Sequence, residues 1–266
     1  MSRIPRLLDP DAPAIVIDIG NSRIGIATWH EDQIKTPLHL ATDDTKAFEE
    51  SLRAHCEASS DKQPAAVVIG SVVSERLSEC RILVKKLLGQ NGLVVGETID
   101  LPIDVSVKDA KAIGVDRVCA AAAAFEQLQA ACAVVDFGTA VTVDLVDDDG
   151  TLLGGAILPG LDLQTRALHE HTACLPEVSL EIPELPYGRD TTEAICTGVC
   201  RGIAGAVRRL VEGYATVLNR WPHVVATGGG IEFMAPICDF VDSIVPDLTL
   251  RGVGIAYSKH LSEMGV

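Results

Sequence analysis

Apolar and polar positions along this chain follow two rhythms, and the rhythm switches at glycine and proline. Ala14-Ile15-Val16-Ile17 and Ile24-Gly25-Ile26-Ala27 are short apolar runs parted by a polar turn. With the stretch that follows, they predict three consecutive strands over 14–41. Helical spacing is expected over 43–57 and again from a Ser74 cap to about Leu88, where Leu77, Leu83, Val84, Leu87 and Leu88 form one stripe. Between them lies a buried strand over 65–71, and another is expected over 92–95. The second half repeats the plan. An Ala-rich helix is expected over 108–131, three strands from Ala133 to Leu158, a helix over 161–172 and a Pro-containing loop over 174–188. A long helix from Thr191 or Thr192 to about Leu218 precedes strand 224–227 and a further helix, and a terminal helix begins near Gly252. Residues 1–12 read as a loose tail.

One phrase occurs in both halves. Asp18-Ile-Gly-Asn-Ser22 ends the first apolar run, and Asp136-Phe-Gly-Thr-Ala140 ends its counterpart. Each is a strand, a tight Gly turn and a returning strand, with a carboxylate at the strand end. Gly lets backbone N–H groups approach phosphate, and a carboxylate can hold the cation that travels with it. Two such hairpins predict an α/β fold of two duplicated half-domains, 13–107 and 108–266, each a mixed sheet flanked by helices, with a cleft between them.

Three further phrases carry candidate chemistry. Thr227-Gly228-Gly229-Gly230 follows an apolar strand, and such a turn lets a nucleotide lie flat against backbone. It is neither a phosphate-binding loop with a following Lys nor a dinucleotide fingerprint. In Gly114-Val115-Asp116-Arg117 an acid and a base stand together at a helix start. Asp116 could take a proton from a substrate hydroxyl and Arg117 could bind a carboxylate, although a surface ion pair would look the same. Asp144 could join a metal shell at Asp136 or be an exposed strand-end residue.

Composition narrows the partners. The 266 residues are 47% hydrophobic but only 4% aromatic, so the core is aliphatic. A net charge of −15 argues against nucleic acid and against an anionic membrane surface. The eight cysteines show no zinc spacing and read as reduced packing residues, and no signal peptide or membrane-spanning run is seen. A cytoplasmic protein is expected.

Taken in order, these phrases resemble type III pantothenate kinase, of the actin/sugar-kinase-like ATPase superfamily. The matching stretches are Asp18–Ser22, Gly114–Arg117, Asp136–Asp144, Gly154–Leu161, Thr172–Pro176, Gly188–Thr191 and Thr227–Gly229. The resemblance implies two actin/ribonuclease-H-like halves and ATP-dependent phosphorylation of the primary hydroxyl of pantothenate, the first step of coenzyme A synthesis. It implies Asp116 as general base. Gly114, Val115, Arg117 and Thr191 would contact the acceptor. Asp18, Gly20, Asn21, Ser22, Gly25, Thr139, Gly228 and Gly229 would contact ATP. Asp136 would hold a monovalent cation, K⁺ or NH₄⁺, with Mg²⁺ accompanying ATP, and the protein would work as a homodimer. Many members carry Tyr-x-Asn-Pro before the Gly-x-Asp-Arg phrase, where this chain has Val107-Lys108-Asp109-Ala110. Two other functions are therefore weighed: a catalytically weak relative that regulates through protein partners, and a kinase for another small hydroxy acid.

Overall fold

The computed structural model describes residues 12–58, 64–109 and 112–265. The expected tail up to residue 11 and positions 110 and 111 of the expected Ala-rich helix lie outside the described residues. The chain forms two compact units.

The first unit holds residues up to 104, then 108–123 and 247–266. Its sheet runs β3(Gln33–Ala41), β2(Arg23–His30), β1(Ala14–Ile19), β4(Val67–Ser71), β5(Leu93–Val94). The two hairpin pairings are antiparallel and the β1–β4 and β4–β5 pairings are parallel. Alternation along β1 sorts its side chains between two cores. Ile15, Ile17 and Ile19 face α1(Thr45–Ala58) and α2(Ser74–Leu88), where Phe48, Leu52 and Val84 meet them. Ala14 and Val16 face the opposite layer, which holds Cys119 of α3(Val115–Leu128) and Leu250, Val253 and Tyr257 of α7(Leu248–Glu263).

The second unit comprises 105–107 and 124–246. Its sheet has the order β8(Leu152–Pro159), β7(Ala140–Val146), β6(Cys132–Phe137), β9(His223–Thr227), β10(Ser243–Ile244), the same connection pattern as the first. Again two pairings are antiparallel and two parallel. One face packs on the 28-residue α5(Thr191–Leu218), whose Ile195, Val199, Ile203, Val207 and Val211 recur every fourth position as a buried stripe. α4(Leu161–Glu170), the short α6(Ile231–Met234) and a 3₁₀ turn at Ala235–Ile237 complete the described helices.

The duplicated mixed-sheet architecture expected from the paired hairpins is therefore present in both units. The units are not the continuous segments 13–107 and 108–266. Residues 108–123 and the terminal helix pack with the first half because Leu250, Val253, Ala256 and Tyr257 find their apolar partners on β1, β2 and β4. Three local expectations also shift. Val73, not Ser74, precedes α2 as its cap residue, and it makes no side-chain cap bond. The Ala-rich helix begins at Val115 and ends at Leu128. The terminal helix starts at Leu248, before Gly252.

Candidate active site

In the first unit the candidate residues sit at the turn of the first hairpin and the start of α3. Asp18 points to the layer occupied by α7. Its neighbours across the sheet are Gly25 on one side and Gly70 on the other. A β-carbon on Gly25 would lie 3.0 Å from Leu250 Cδ1, and one on Gly70 would lie 2.9 Å from Val253 Cγ2. The two glycines let α7 press on the sheet beside the carboxylate. Gly20 N–H donates to the Arg23 carbonyl at 2.9 Å and closes the turn, leaving Asn21 and Ser22 exposed. Thr42 fastens it from behind: its hydroxyl donates to the Gly20 carbonyl at 3.0 Å and its N–H to the Ser22 carbonyl at 3.1 Å. Gly70 and Thr42 were not singled out by sequence reasoning. A Gly directly after the apolar run Val67–Ile69, within the same strand, was the available signal for the first. For Thr42 there was none.

Gly114 makes room for Asp116. Its β-carbon would lie 2.4 Å from Asp116 Oδ1, so the carboxylate folds back over the first turn of α3. There Oδ1 accepts the Arg117 N–H at 2.8 Å. Burial pushes the Asp116 pKa up, and the Arg117 N–H and guanidinium pull against it without overcoming it. Cys119, one turn along α3 and fully buried, is held well above the ordinary thiol range, first by burial and then by Asp18 and Asp116. Both carboxylates thus bear on one thiol, and the fold brings Asp18 and Asp116 to a common neighbourhood. Val115 and Arg117 flank Asp116 at the helix start and are half-buried.

In the second unit Asp136, Thr139 and Gly228 come together. Asp136 pairs with Thr142 on β7 and with Thr227 on β9. Gly228, next along, has φ 92°, and its β-carbon would lie 2.2 Å from Asp136 Oδ1 and 2.7 Å from Phe137 backbone. Gly230 N–H donates to the Phe137 carbonyl at 2.9 Å, and Gly229 between them is exposed. Two of the three glycines meet a physical demand: Gly228 a left-handed backbone against a carboxylate, and Gly230 a close approach to a carbonyl. Thr139 lies in the Gly138 turn, where its carbonyl accepts the Gly160 N–H at 3.0 Å. A β-carbon on Gly160 would lie 2.4 Å from that carbonyl oxygen.

Asp144 is neither an exposed strand-end residue nor beside Asp136 in register. It lies opposite Val134 and is 2% exposed, with Oδ1 where a β-carbon on Gly155 would go. Thr191 is exposed at the first turn of α5. That turn is built by Asp190, which accepts the Glu193 N–H at 2.9 Å, and by Glu193, which takes the Arg189 guanidinium and N–H. Those bonds to Arg189 bring the Glu193 pKa down to about 2.

Among the described residues, no set of three or more His, Cys, Asp or Glu could hold a metal ion by itself. The donors at Asp136 are oxygens, which suit hard cations such as K⁺ and Mg²⁺ that complete their shells with phosphate and water. No helix among the described residues is long and apolar enough to cross a membrane.

Residues 14–213 match the family of type III pantothenate kinases. The chain belongs to that family. A type III pantothenate kinase of Thermomicrobium roseum is 31% identical over 256 residues, covering 94% of this chain and 99% of its own length. One of Rhodospirillum rubrum is 32% identical over 252 residues, covering 92% and 98%. Among solved structures, the chain is similar to a Campylobacter jejuni protein assigned provisionally to the Baf family of transcriptional activators. The TM-score is 0.57 at 21% identity, over 94% of this chain and 98% of that one. It is also similar to a Listeria monocytogenes protein described provisionally as an N-acetylmannosamine kinase, with TM-score 0.53 at 10% identity over 95% and 99%. At these identities the structural likenesses establish a shared fold. The family match covers the hairpin, Gly114–Arg117, Asp136–Asp144 and Thr191, and stops before Gly228.

Proposed function

We infer that this protein transfers the γ-phosphoryl group of ATP to the primary hydroxyl of pantothenate, the first step of coenzyme A synthesis. The observation that carries this is Asp116, inside the family-matched stretch. It is a half-buried carboxylate at a helix start, folded back into space that only Gly114 leaves open.

Asp116 orients the acceptor hydroxyl and takes its proton as the bond to phosphorus forms. A carboxyl raised by burial is a better base than a free one, because its pKa lies nearer the working pH. Arg117, with Gly114 and Val115 beside it, receives the pantothenate carboxylate as a planar two-donor group, and Thr191 contacts the acceptor. In the first unit, the Gly20–Ser22 turn offers backbone N–H groups to ATP phosphates, with Asp18 and Gly25 framing it. In the second, Thr139 donates to phosphate, and Gly228 and Gly229 give the nucleoside a surface without side chains. Asp136 is the residue that would hold a monovalent cation. Mg²⁺ bound with ATP would supply charge neutralisation at the transferring group. A homodimer and a cytoplasmic setting belong to the same proposal. Exposed Leu153 and Ile157 on strand β8, and eight free thiols, support them.

The test is ADP release by purified protein with Mg-ATP and pantothenate, in K⁺ and in Na⁺ alone. Pantothenate-dependent release stimulated by K⁺ is expected. Release without pantothenate, or none from folded protein, would overturn the assignment.

A further inference from the structure

The paired row His39–Gly25–Asp18–Gly70 crosses the first sheet and ends at its edge strand in a residue that no role above uses. His39 Nε2 lies 2.5 Å from Asp247 Oδ1. Asp247 stands immediately before α7 with φ 58°, a conformation that non-glycine residues adopt sparingly. An aspartate at a helix start ordinarily accepts an N–H of its own first turn. Asp247 makes no such bond, and its carboxylate goes to β3 instead.

The edge needs such an anchor. β3 contains Pro37, which cannot donate to a neighbouring strand, and Thr36 at φ 51°. Its register against β2 shifts between Ile26 and Thr28. Just beyond that irregularity Gly25 pairs with His39. A β-carbon on Gly25 would lie 3.0 Å from Leu250 Cδ1 and 3.4 Å from His39 Cε1. The Gly25 backbone therefore runs in a slot whose walls are His39 and the first turn of α7, and the His39–Asp247 pair joins those walls.

We propose that His39 and Asp247 are a positioning pair for the ATP phosphates. Resting on the kinase assignment, they hold edge strand β3 against α7 so that Gly25 and the Gly20–Ser22 turn keep the backbone geometry that receives the nucleotide. The pair touches no reacting atom. Its His39 side chain is 48% exposed and that of Asp247 16%, so its strength is that of a partly solvated hydrogen-bonded pair. It acts on binding rather than on the chemical step.

The experiment compares the whole protein with His39→Ala, Asp247→Ala, the double variant and His39→Gln. Steady-state kinetics are combined with hydrogen exchange of the ATP-free protein. His39→Ala should raise the KM for ATP by about 2- to 5-fold, the scale of one such pair. The KM for pantothenate and kcat should stay unchanged. Asp247→Ala should match it, the double variant should be no worse than either single one, and His39→Gln should recover part of the loss. Amides of 20–26 should exchange faster in both alanine variants. An unchanged ATP KM, or kcat falling with it, overturns the proposal, as does unchanged exchange at 20–26. Wild-type protein without pantothenate-dependent ADP release overturns the kinase assignment instead, and the exchange comparison still decides whether the pair clamps the hairpin.

Discussion

Gly228 leaves no room for a side chain because Asp136 fills it: a β-carbon there would lie 2.2 Å from Asp136 Oδ1. Any larger residue must displace either the carboxylate assigned to the cation or the Phe137 backbone. At φ 92° the residue would be strained as well. Gly228→Ala is expected to cost about 1–3 kcal/mol of stability and to weaken ATP binding. Exposed Gly229→Ala serves as the milder control. Thermal unfolding and ATP titration of the two variants check this, and equal behaviour would mean the 228 position yields freely.

Asp116→Asn should lower turnover by ~10²–10⁴-fold, the usual scale for losing a general base. It should also stabilise the protein near neutral pH. The folded-state pKa of Asp116 is raised, so folding is penalised once pH exceeds that value, and the penalty vanishes below the unfolded carboxyl pKa. The melting advantage of the variant should therefore shrink as pH falls through that window, since Asn can still accept the Arg117 N–H. In wild type, the acid limb of kcat/KM should lie above the ordinary carboxylate range. A limb inside that range would remove Asp116 from the proton-transfer step.

Gly252→Ala should damage the first unit more than an ordinary helix substitution. A β-carbon at 252 would lie 1.9 Å from the Cys119 carbonyl oxygen, so α3 and α7 would have to part where they cross. Overpacking of this kind costs about 1–3 kcal/mol. It would also move Asp116, one turn before Cys119. Denaturant unfolding and turnover should fall together. Full stability with lost turnover would contradict a packing origin.

Cys174 should be the first thiol to react with iodoacetamide in the folded protein, because it alone of the eight is exposed. Burial raises Cys80 and Cys132 to about 12, and Cys200 and Cys238 to about 11. Mass spectrometry of briefly treated protein should find label at 174, with ADP release unchanged. Early label at Cys119 would mean that the helix crossing opens.

What the chain announces about itself is mostly local. The paired hairpins, the 191–218 helix and the Gly228–Gly230 turn could be read because each is encoded by neighbours in sequence. The start of α7 could not. The cap signal Asp247 spends its carboxylate on His39, 208 positions away, and leaves its own helix unmarked. Ser74 looked like a cap, but Ser71 already shapes that turn by accepting the Val73 N–H at 3.1 Å. Gly114 and Arg117 were found as parts of a phrase. Why Gly114 must be glycine emerged only with the Asp116 carboxylate in place. Gly70 and Thr42 stayed hidden because they act on Asp18 and Gly20 through sheet pairing and a cross-turn bond.

The place of α7 has a consequence for how the protein is made. Leu250, Val253, Ala256, Tyr257 and Leu261 supply much of one face of the first unit's core, yet they leave the ribosome only after every residue of the second unit. The strands 14–41 emerge early and wait, with that face bare, while the second unit, which closes by residue 246, has everything it needs first. The usual N-to-C order of assembly is therefore reversed here. A nascent chain stalled before residue 247 would carry every residue of the second unit and a first unit with one apolar face still bare.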